Sequence, residues 1–581
     1  MTAFVALSGP QNSDRSARIA DNVQAYLNAS NGRWRTLLAD PGRLIAVAKD
    51  GRVKMGMTEG CSIFVIGDIF PRTGQNLERL ISEATGFGMF CAKLAADFWG
   101  SYTAIQLAPD GISVFRDPIG MRDVISWAQT SVRVVASDPM PWLPLSAPND
   151  LAIDWQRIGE LLRSSSTVAE APPLVGVETV APGVMTEYRG AIRETHRLWL
   201  PRQFYLGSGA KTTSAELNRT VRECINAWNT AYPVSMLEIS GGFDSAVVAA
   251  VIGNGGHRIE FGINFFADDI AGDERRYARD VAAHTGVTLR EMLMPVGRLD
   301  DADLEDMPIG VRPGLGSTTL FHDRLSAELA TSARVGALFT GNGGDAVFFQ
   351  HPTAAIAADP SFPRTHFGAY VDLARWSKTS IWTVARHAFL QRAPACKSSD
   401  TAMSRLPINA RFREPPSSWA GNVDGIPPAK KAQILAIAGD RGAFGPSWRR
   451  RSLTVIHPLL SQPLVELAIA TDTFHLTQGR RDRALAREAF ADDVPISTIQ
   501  RRGKGSLSSF FGRSLAASVP FLRSYLLDGL LVRHGILDPV RLGAMLDRDF
   551  LMRFDCYAKI LSALIMEYWV RAWTERLEAM A

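Results

Sequence analysis

The run Leu237-Glu238-Ile239-Ser240-Gly241-Gly242-Phe243-Asp244-Ser245, passing directly into Ala246-Val247-Val248-Ala249-Ala250-Val251, constrains this chain more than any other stretch. Residues 234–239 read as a short buried strand, and the small, apolar run after Ser245 reads as a helix. The turn between them holds two adjacent glycines, two serines and one aspartate. Glycines let the backbone approach an anion closely, and the N–H groups opening the next helix face it with the positive end of the helix dipole. Ser240 and Ser245 add hydroxyl donors, and Asp244 offers the hard oxygen that Mg2+ prefers beside phosphates. An ordinary strand-to-helix turn explains two glycines, but it explains the whole S-G-G-x-D-S string poorly. No Gly-Lys-Ser/Thr follows, so the pattern is not a Walker loop.

A second run, Leu338-Phe339-Thr340-Gly341-Asn342-Gly343-Gly344-Asp345, has the same plan of strand, glycine turn and acid. Taken alone it is equally a tight turn whose aspartate caps a helix. In one α/β domain, however, both turns are expected at the same sheet edge, with Asp244 and Asp345 sharing Mg2+ on a triphosphate. The third element, Gln500-Arg501-Arg502-Gly503-Lys504-Gly505, sets a lysine between glycines, where the backbone can bring its ammonium to a ligand. A fixed positive charge there would offset charge that grows when an amine attacks an activated acyl group.

A chain of 581 residues is too long for one core. Residues 1–200 read as mostly β, with strand-length runs at 44–48, 62–66, 102–107, 112–115 and 132–136, and with helices at 75–85 and 154–164. Residues 174–183 read as strand and turn. A Gly/Ser/Pro-rich linker spans 201–212, and Thr213 with Glu216 forms a capping box for a helix to about 231. Strands at 234–239, 259–265, near 289 and at 337–340 then alternate with helices, including one over 273–285 opened by Asp273 and Glu274. That alternation predicts a doubly wound parallel sheet with its ligand at the strands' carboxyl ends. After Phe349 the chain reads as mainly helical, with an irregular insert at 393–428. Two domains are therefore expected: residues 1–205, an α+β sandwich with helices, and residues 206–581, an α/β doubly wound domain with a largely helical carboxy-terminal part.

Five scattered cysteines without C-x-x-C spacing imply a reducing cytoplasm and no structural zinc. The apolar start lacks the basic leader of a signal peptide, and residues 560–569 are interrupted by Glu567, so no membrane span is expected. The net charge of +4 is small for this length and by itself speaks neither for nor against nucleic acid; the motifs call for none. His457 reads as a packed core histidine and Arg449-Arg450-Arg451 as a solvated turn.

The first glycine run resembles the pyrophosphate loop of ATP pyrophosphatases, which cut ATP between its α and β phosphates to make acyl-adenylates. With the other motifs, nearly the whole chain resembles the superfamily of asparagine synthetases, β-lactam synthetases and lasso-peptide cyclases. Phe115-Arg116-Asp117-Pro118-Ile119-Gly120 is similar to that family's R-D-P-x-G, and residues 175–183 to its strand before P-G. His457-Pro458-Leu459-Leu460-Ser461-Gln462-Pro463 is similar to its P-F-L-D segment, and Gly479-Arg480-Arg481-Asp482-Arg483-Ala484-Leu485 to the helix before its catalytic lysine. The resemblance implies a degenerate class II glutamine-amidotransferase-like first domain and an ATP-dependent synthetase second domain. It implies that Ile239, Ser240, Gly241, Gly242, Asp244, Ser245, Asn264, Thr340 and Gly341 bind ATP and pyrophosphate. It further implies that Asp244 and Asp345 hold Mg2+, with Lys504 on the intermediate and Asn342 beside it. One residue more than the family's R-x-K spacing precedes Lys504.

The departures narrow the expectation. The family's glutaminases begin Met-Cys and free that cysteine as nucleophile; here position 2 is Thr2. Their glutamine-holding N-G-E-I-Y-N appears as Ile66-Gly67-Asp68-Ile69-Phe70-Pro71, and isoleucine cannot hydrogen-bond an amide. The resemblance therefore implies a structural first domain and no internal source of ammonia. Asn342 stands where asparagine synthetases have glutamate and β-lactam synthetases tyrosine, and a carboxamide cannot act as a general base. A nucleophile needing little help fits, and an α-amino group of pKa about 7.7–8.0 is already partly neutral near pH 7. The reading is a lasso-peptide macrolactam synthetase acting on a precursor peptide, with a leader peptidase and a leader-recognition protein as further partners. The alternatives are an ammonia-using asparagine synthetase, a small-molecule lactam synthetase, and a peptide-binding scaffold without activity.

Overall fold

The computed structural model describes residues 3–580 except 59–60, 138–141, 165–166, 191, 206, 208–211, 257–258, 270–271, 295, 316–319, 391–405, 504 and 506. Thr2, Lys504, Cys396 and the first part of the 393–428 insert therefore lie outside the described residues.

Residues 4–197 build two six-stranded antiparallel sheets that face each other. One contains Phe4–Ser8, Arg43–Ala48 and Val132–Ala136; the other contains Cys61–Pro71, Phe98–Ala108 and Gly111–Arg116. Alternation of side chains sends Phe4, Ala6, Ile45, Val47, Phe64, Ile66, Ile105 and Val114 into the space between them. The opposite faces are covered by helices: Asp14–Ala29 on the first sheet, Leu77–Ser82 and Phe87–Asp97 on the second. Several strands run longer than their apolar runs indicate, and residues 174–183 are irregular apart from Glu178–Thr179. The expected helix at 75–85 is the shorter Leu77–Ser82, capped by Asn76.

The second part is centred on a five-stranded sheet, all of whose pairings are parallel. Its order is Leu289–Leu293, Ile259–Phe266, Ser235–Glu238, Ala337–Phe339, Thr454–Ile456. The chain thus starts in the middle, winds outward to one side, then returns to wind to the other. The point of return lies between Ser235–Glu238 and Ala337–Phe339, which pair directly, and that is where a doubly wound sheet opens a crevice for ligand. Both glycine turns leave these two strands. The helix Phe243–Asn254 is buried from Phe243 through Ile252, which is why its sequence shows no polar face.

Loop 116–123 of the first part is driven into the second. Arg441 Nε donates to the Ile119 carbonyl at 2.7 Å, Trp419 Nε1 donates to Pro118 O at 2.8 Å, and Arg312 pairs with Asp123. The R-D-P-x-G run therefore joins the antiparallel sheets to the part built on the parallel sheet. Arg441 and Arg450, which it supports, flank the turn 442–449 that walls the site described below.

The helix Tyr557–Met580 anchors the carboxy-terminal cluster through Ile560, Leu564, Trp569 and Trp573. The residue that excludes a membrane span from its sequence, Glu567, has a capping task. Its fully buried carboxylate accepts from Leu530 N at 2.7 Å and Leu531 N at 3.0 Å, the open start of another helix, and from Arg571 Nε at 2.8 Å. Glu567→Ala strands both backbone donors, so we expect a loss on the order of 3 kcal/mol in chemical denaturation. No helix among the described residues is long and apolar enough to cross a membrane.

Candidate active site

The first turn folds onto itself. Ser240 Oγ and Ser245 Oγ lie 3.1 Å apart, Gly242 N donates to Ser240 Oγ and Ser245 Oγ donates to Gly242 O. The two hydroxyls brace the turn, a task the sequence reading did not give them. Gly241 has φ +79, and any Cβ there would come within 2.9 Å of the Glu274 carbonyl. The helix Phe243–Asn254 starts at Gly242 without a side-chain cap, leaving its first N–H groups directed at the crevice.

The second turn presses against the first. A Cβ on Gly341 would lie 2.5 Å from Ser245 N, and one on Gly344 would lie 2.4 Å from Asp244 Cγ. Only glycine permits this approach, which brings Asp345 beside Asp244. Thr340 Oγ1 hydrogen-bonds with His457 Nδ1 at 2.7 Å and accepts from Asn342 N at 3.2 Å, fixing the turn to the segment after the last strand.

Arg483 lies across the two carboxylates. Its Nε and Nη2 donate to Asp244 Oδ1 and Oδ2 at 2.9 and 2.7 Å, and Nη2 also reaches Asp345 Oδ1. The guanidinium is buried and further paired with Asp482 at 3.0 Å. Arg483 has φ 52, a left-handed backbone rarely adopted by a branched-at-Cβ or long side chain, and its N–H donates to Phe349 O. Burial pushes the Asp244 carboxyl above its ordinary range; Arg483 pulls it down and Asp345 adds to the push. Two adjacent carboxylates that share one cationic group, which Asp482 also engages, keep an excess of negative charge and offer the hard oxygens that Mg2+ takes.

Ser240, Gly242, Asp244, Ser245, Thr340, Gly341, Asn342 and Asp345 line one cavity of about 720 Å³. Ile239, Gly241 and Asn264 are not among its lining residues. Asn264 is buried behind the first turn and donates to Ile239 O at 2.7 Å, so it supports the turn from the sheet side. Lys504 lies outside the described residues, but its neighbours Arg502 and Gly503 line the cavity.

Among the described residues six arginines face this space: Arg449, Arg450, Arg483, Arg487, Arg501 and Arg502. The solvated-turn reading of residues 449–451 is thereby corrected. Arg451 is exposed, but Arg449 is anchored by Asp323 at 2.7 Å and Glu238 at 3.3 Å and faces the cavity with Arg450. Those acids are far away in sequence, so nothing local distinguished a cavity wall from a solvated face. Asp440, at the end of the helix Pro428–Asp440, is another lining residue without a sequence signal; burial, with the charges of Asp345 and Asp244, pushes its pKa up to about 7.

His457 is packed, as its sequence context suggests, and burial pushes its pKa down to about 3; His322 is held at about 3 by the same cause. Both stay neutral in the fold while the unfolded chain takes up protons below the ordinary value of 6.5. Their contribution is therefore lost as pH falls from 6.5 towards 3. His457→Asn should flatten the decline of stability in this window, as read from denaturation midpoints at several pH values.

Doubly wound topology thus brings two glycine turns together at its switch point, beside a paired-carboxylate, arginine-lined cavity. A sequence profile described as Asparagine synthase matches residues 216–571, more than half of the chain, and the chain belongs to that family. It is accordingly an enzyme of ATP-dependent amide-bond formation, in a family that uses ATP and in general Mg2+. No curated protein sequence matches it. Two solved structures are similar at 10% identity and TM-score 0.23. One, titled the allosteric regulatory enzyme of purine biosynthesis, is matched over 74% of this chain and 98% of its own. The other, glutamine phosphoribosylpyrophosphate amidotransferase from B. subtilis complexed with ADP and GMP, is matched over 68% and 94%. Likeness at this level carries no argument about fold or function.

Proposed function

We propose that this chain closes a macrolactam on a ribosomal peptide, joining an Asp or Glu side-chain carboxylate to the peptide's own α-amine at the expense of ATP. In this reading residues 1–205 are a structural domain and residues 206–581 the synthetase. The precursor peptide is the substrate, and a leader peptidase and a leader-recognition protein are its companions. The observation that carries the reading is the meeting of Asp244, Asp345 and Arg483 at the switch point, with Asn342 in the same cavity.

Asp244 and Asp345 would hold Mg2+, which would supply positive charge to the pyrophosphate as it departs. The uncapped start of the helix Phe243–Asn254 and the lining residue Arg502 would hold the phosphates. The peptide carboxylate attacks the α-phosphorus and pyrophosphate leaves, giving an acyl-adenylate. The α-amine nitrogen then attacks the carbonyl, the bond from that carbon to the phosphate oxygen breaks, AMP leaves, and the proton lost by the nitrogen passes to water. Lys504 would stabilise the oxyanion. Asn342 donates hydrogen bonds and takes no proton, which suits an amine that arrives neutral.

The first domain supports the same view. Ile66 packs between the two sheets, and the Asp68 carboxylate is taken up by Arg52 at 2.5 Å and by Tyr232 Oη at 2.7 Å. Neither is presented to an amide ligand. The test is mass spectrometry of a leaderless core peptide incubated with enzyme, ATP and excess ammonium. Loss of one water from the peptide is the expected outcome; incorporation of ammonia into the carboxylate without ring closure would overturn the reading.

A further inference from the structure

Glu274 opens the helix Arg275–Thr285, where the sequence assigns it the role of a cap. It has no capping hydrogen bond. Its carboxylate turns instead to the segment that carries Lys504. Glu274 Oε1 accepts from Arg501 Nη2 and from Gly505 N, one contact on each side of Lys504. Both partners of the ion pair are largely buried, with side chains 14% and 11% exposed. Arg501 is fully engaged: Nη1 donates to Gly241 O at 3.0 Å, Nε donates to Gly503 O at 2.6 Å, and the guanidinium lies 4.0 Å from the centre of the Tyr277 ring. The main chain of Glu274 meanwhile abuts the first glycine turn, its carbonyl lying 2.9 Å from where a Gly241 Cβ would be.

One residue therefore touches two of the three elements that the chemistry requires, its carbonyl at the phosphate turn and its carboxylate at the segment 501–505. We propose that Glu274 is a positioning residue that ties Arg501 and Gly505, the described residues on either side of position 504, to the first glycine turn. The assignment rests on the amide-ligase reading for its consequence, but the anchor itself is a matter of contacts. One carboxylate oxygen shared by the Arg501 guanidinium and the Gly505 N–H ties the chain on both sides of position 504 to the residue that abuts the first glycine turn.

Two measurements on the full-length chain separate anchoring from catalysis. The first is native-state trypsin digestion with cleavage sites read by mass spectrometry, since Arg501, Arg502 and Lys504 are all trypsin sites. Glu274→Ala should raise cleavage within 501–504 by about tenfold or more relative to other sites, because local opening is no longer opposed. Glu274→Gln, which keeps an acceptor for Gly505 N but loses the charge facing Arg501, should fall between. The second is steady-state ring closure, where Glu274→Ala should lower kcat by about a hundredfold with KM for ATP changed by less than about threefold. An unaltered cleavage pattern overturns the anchor. Faster cleavage with unaltered kcat overturns the positioning role. Cleavage that rises equally along the whole chain marks a merely structural residue and also overturns it. A wild-type chain inert towards ATP and peptide, with faster cleavage in Glu274→Ala, overturns the ligase reading while the anchor stands.

Discussion

Asp244→Asn should reduce ATP–pyrophosphate exchange by about three orders of magnitude, the upper range for one preorganised charged contact. The side chain keeps its shape but loses the charge that Arg483 clasps through two hydrogen bonds and that Mg2+ would need. The fold should tolerate the change, since Arg483 retains Asp345 and Asp482. Exchange of labelled pyrophosphate into ATP, run beside thermal unfolding, separates the two effects. Exchange preserved within about tenfold would remove Asp244 from the reaction.

Gly341→Ala should have the second-largest effect, by a different route. Its new Cβ would meet Ser245 N at 2.5 Å and Asp244 C at 2.9 Å, and both atoms belong to backbone. No rotamer change relieves such a contact, so the two turns must separate. Overpacking of this kind costs about 1–3 kcal/mol, and displacement of a site by about 1 Å lowers turnover by about a hundredfold. Gly336→Ala is the control in the same sheet region, where a new Cβ would come no nearer than 3.9 Å, to Val234 O. Exchange and unfolding midpoint should both fall in Gly341→Ala and hold in Gly336→Ala.

Much of this site was legible because its chemistry is local. The two glycine runs announce strand, turn and acid within a few residues each, and alternation of strand and helix places them at a sheet's carboxyl edge. The sequence does not show that Ser235–Glu238 and Ala337–Phe339 are neighbours, although the convergence of Asp244 and Asp345 depends on it. Nor does it reveal Thr454–Ile456, a strand of three residues that is too short to display a period. The helix Asp14–Ala29 carried a readable signal, with Ser13 accepting from Ser16 N at its start, and was not expected from the pattern.

The functional residues missed are those whose partners are distant in sequence. Arg483 stood in a basic run, but its clasp on Asp244 spans 239 residues. Arg449 finds Asp323 across 126 residues, and Glu274 finds Arg501 across 227. Charge patterning reports that such groups exist and says nothing of what they face. Asp273 shows the opposite case: its carboxylate accepts from Arg275 N at 3.1 Å, the local role that its position suggests.

Attack directed by the switch-point cavity to the α-phosphorus of ATP leaves AMP and pyrophosphate. Phosphorus NMR of the nucleotide products, with enzyme, ATP, Mg2+ and the core peptide, should show these two formed in step with loss of water from the peptide; ADP and inorganic phosphate in their place would place the attack at the γ-phosphorus and remove the acyl-adenylate.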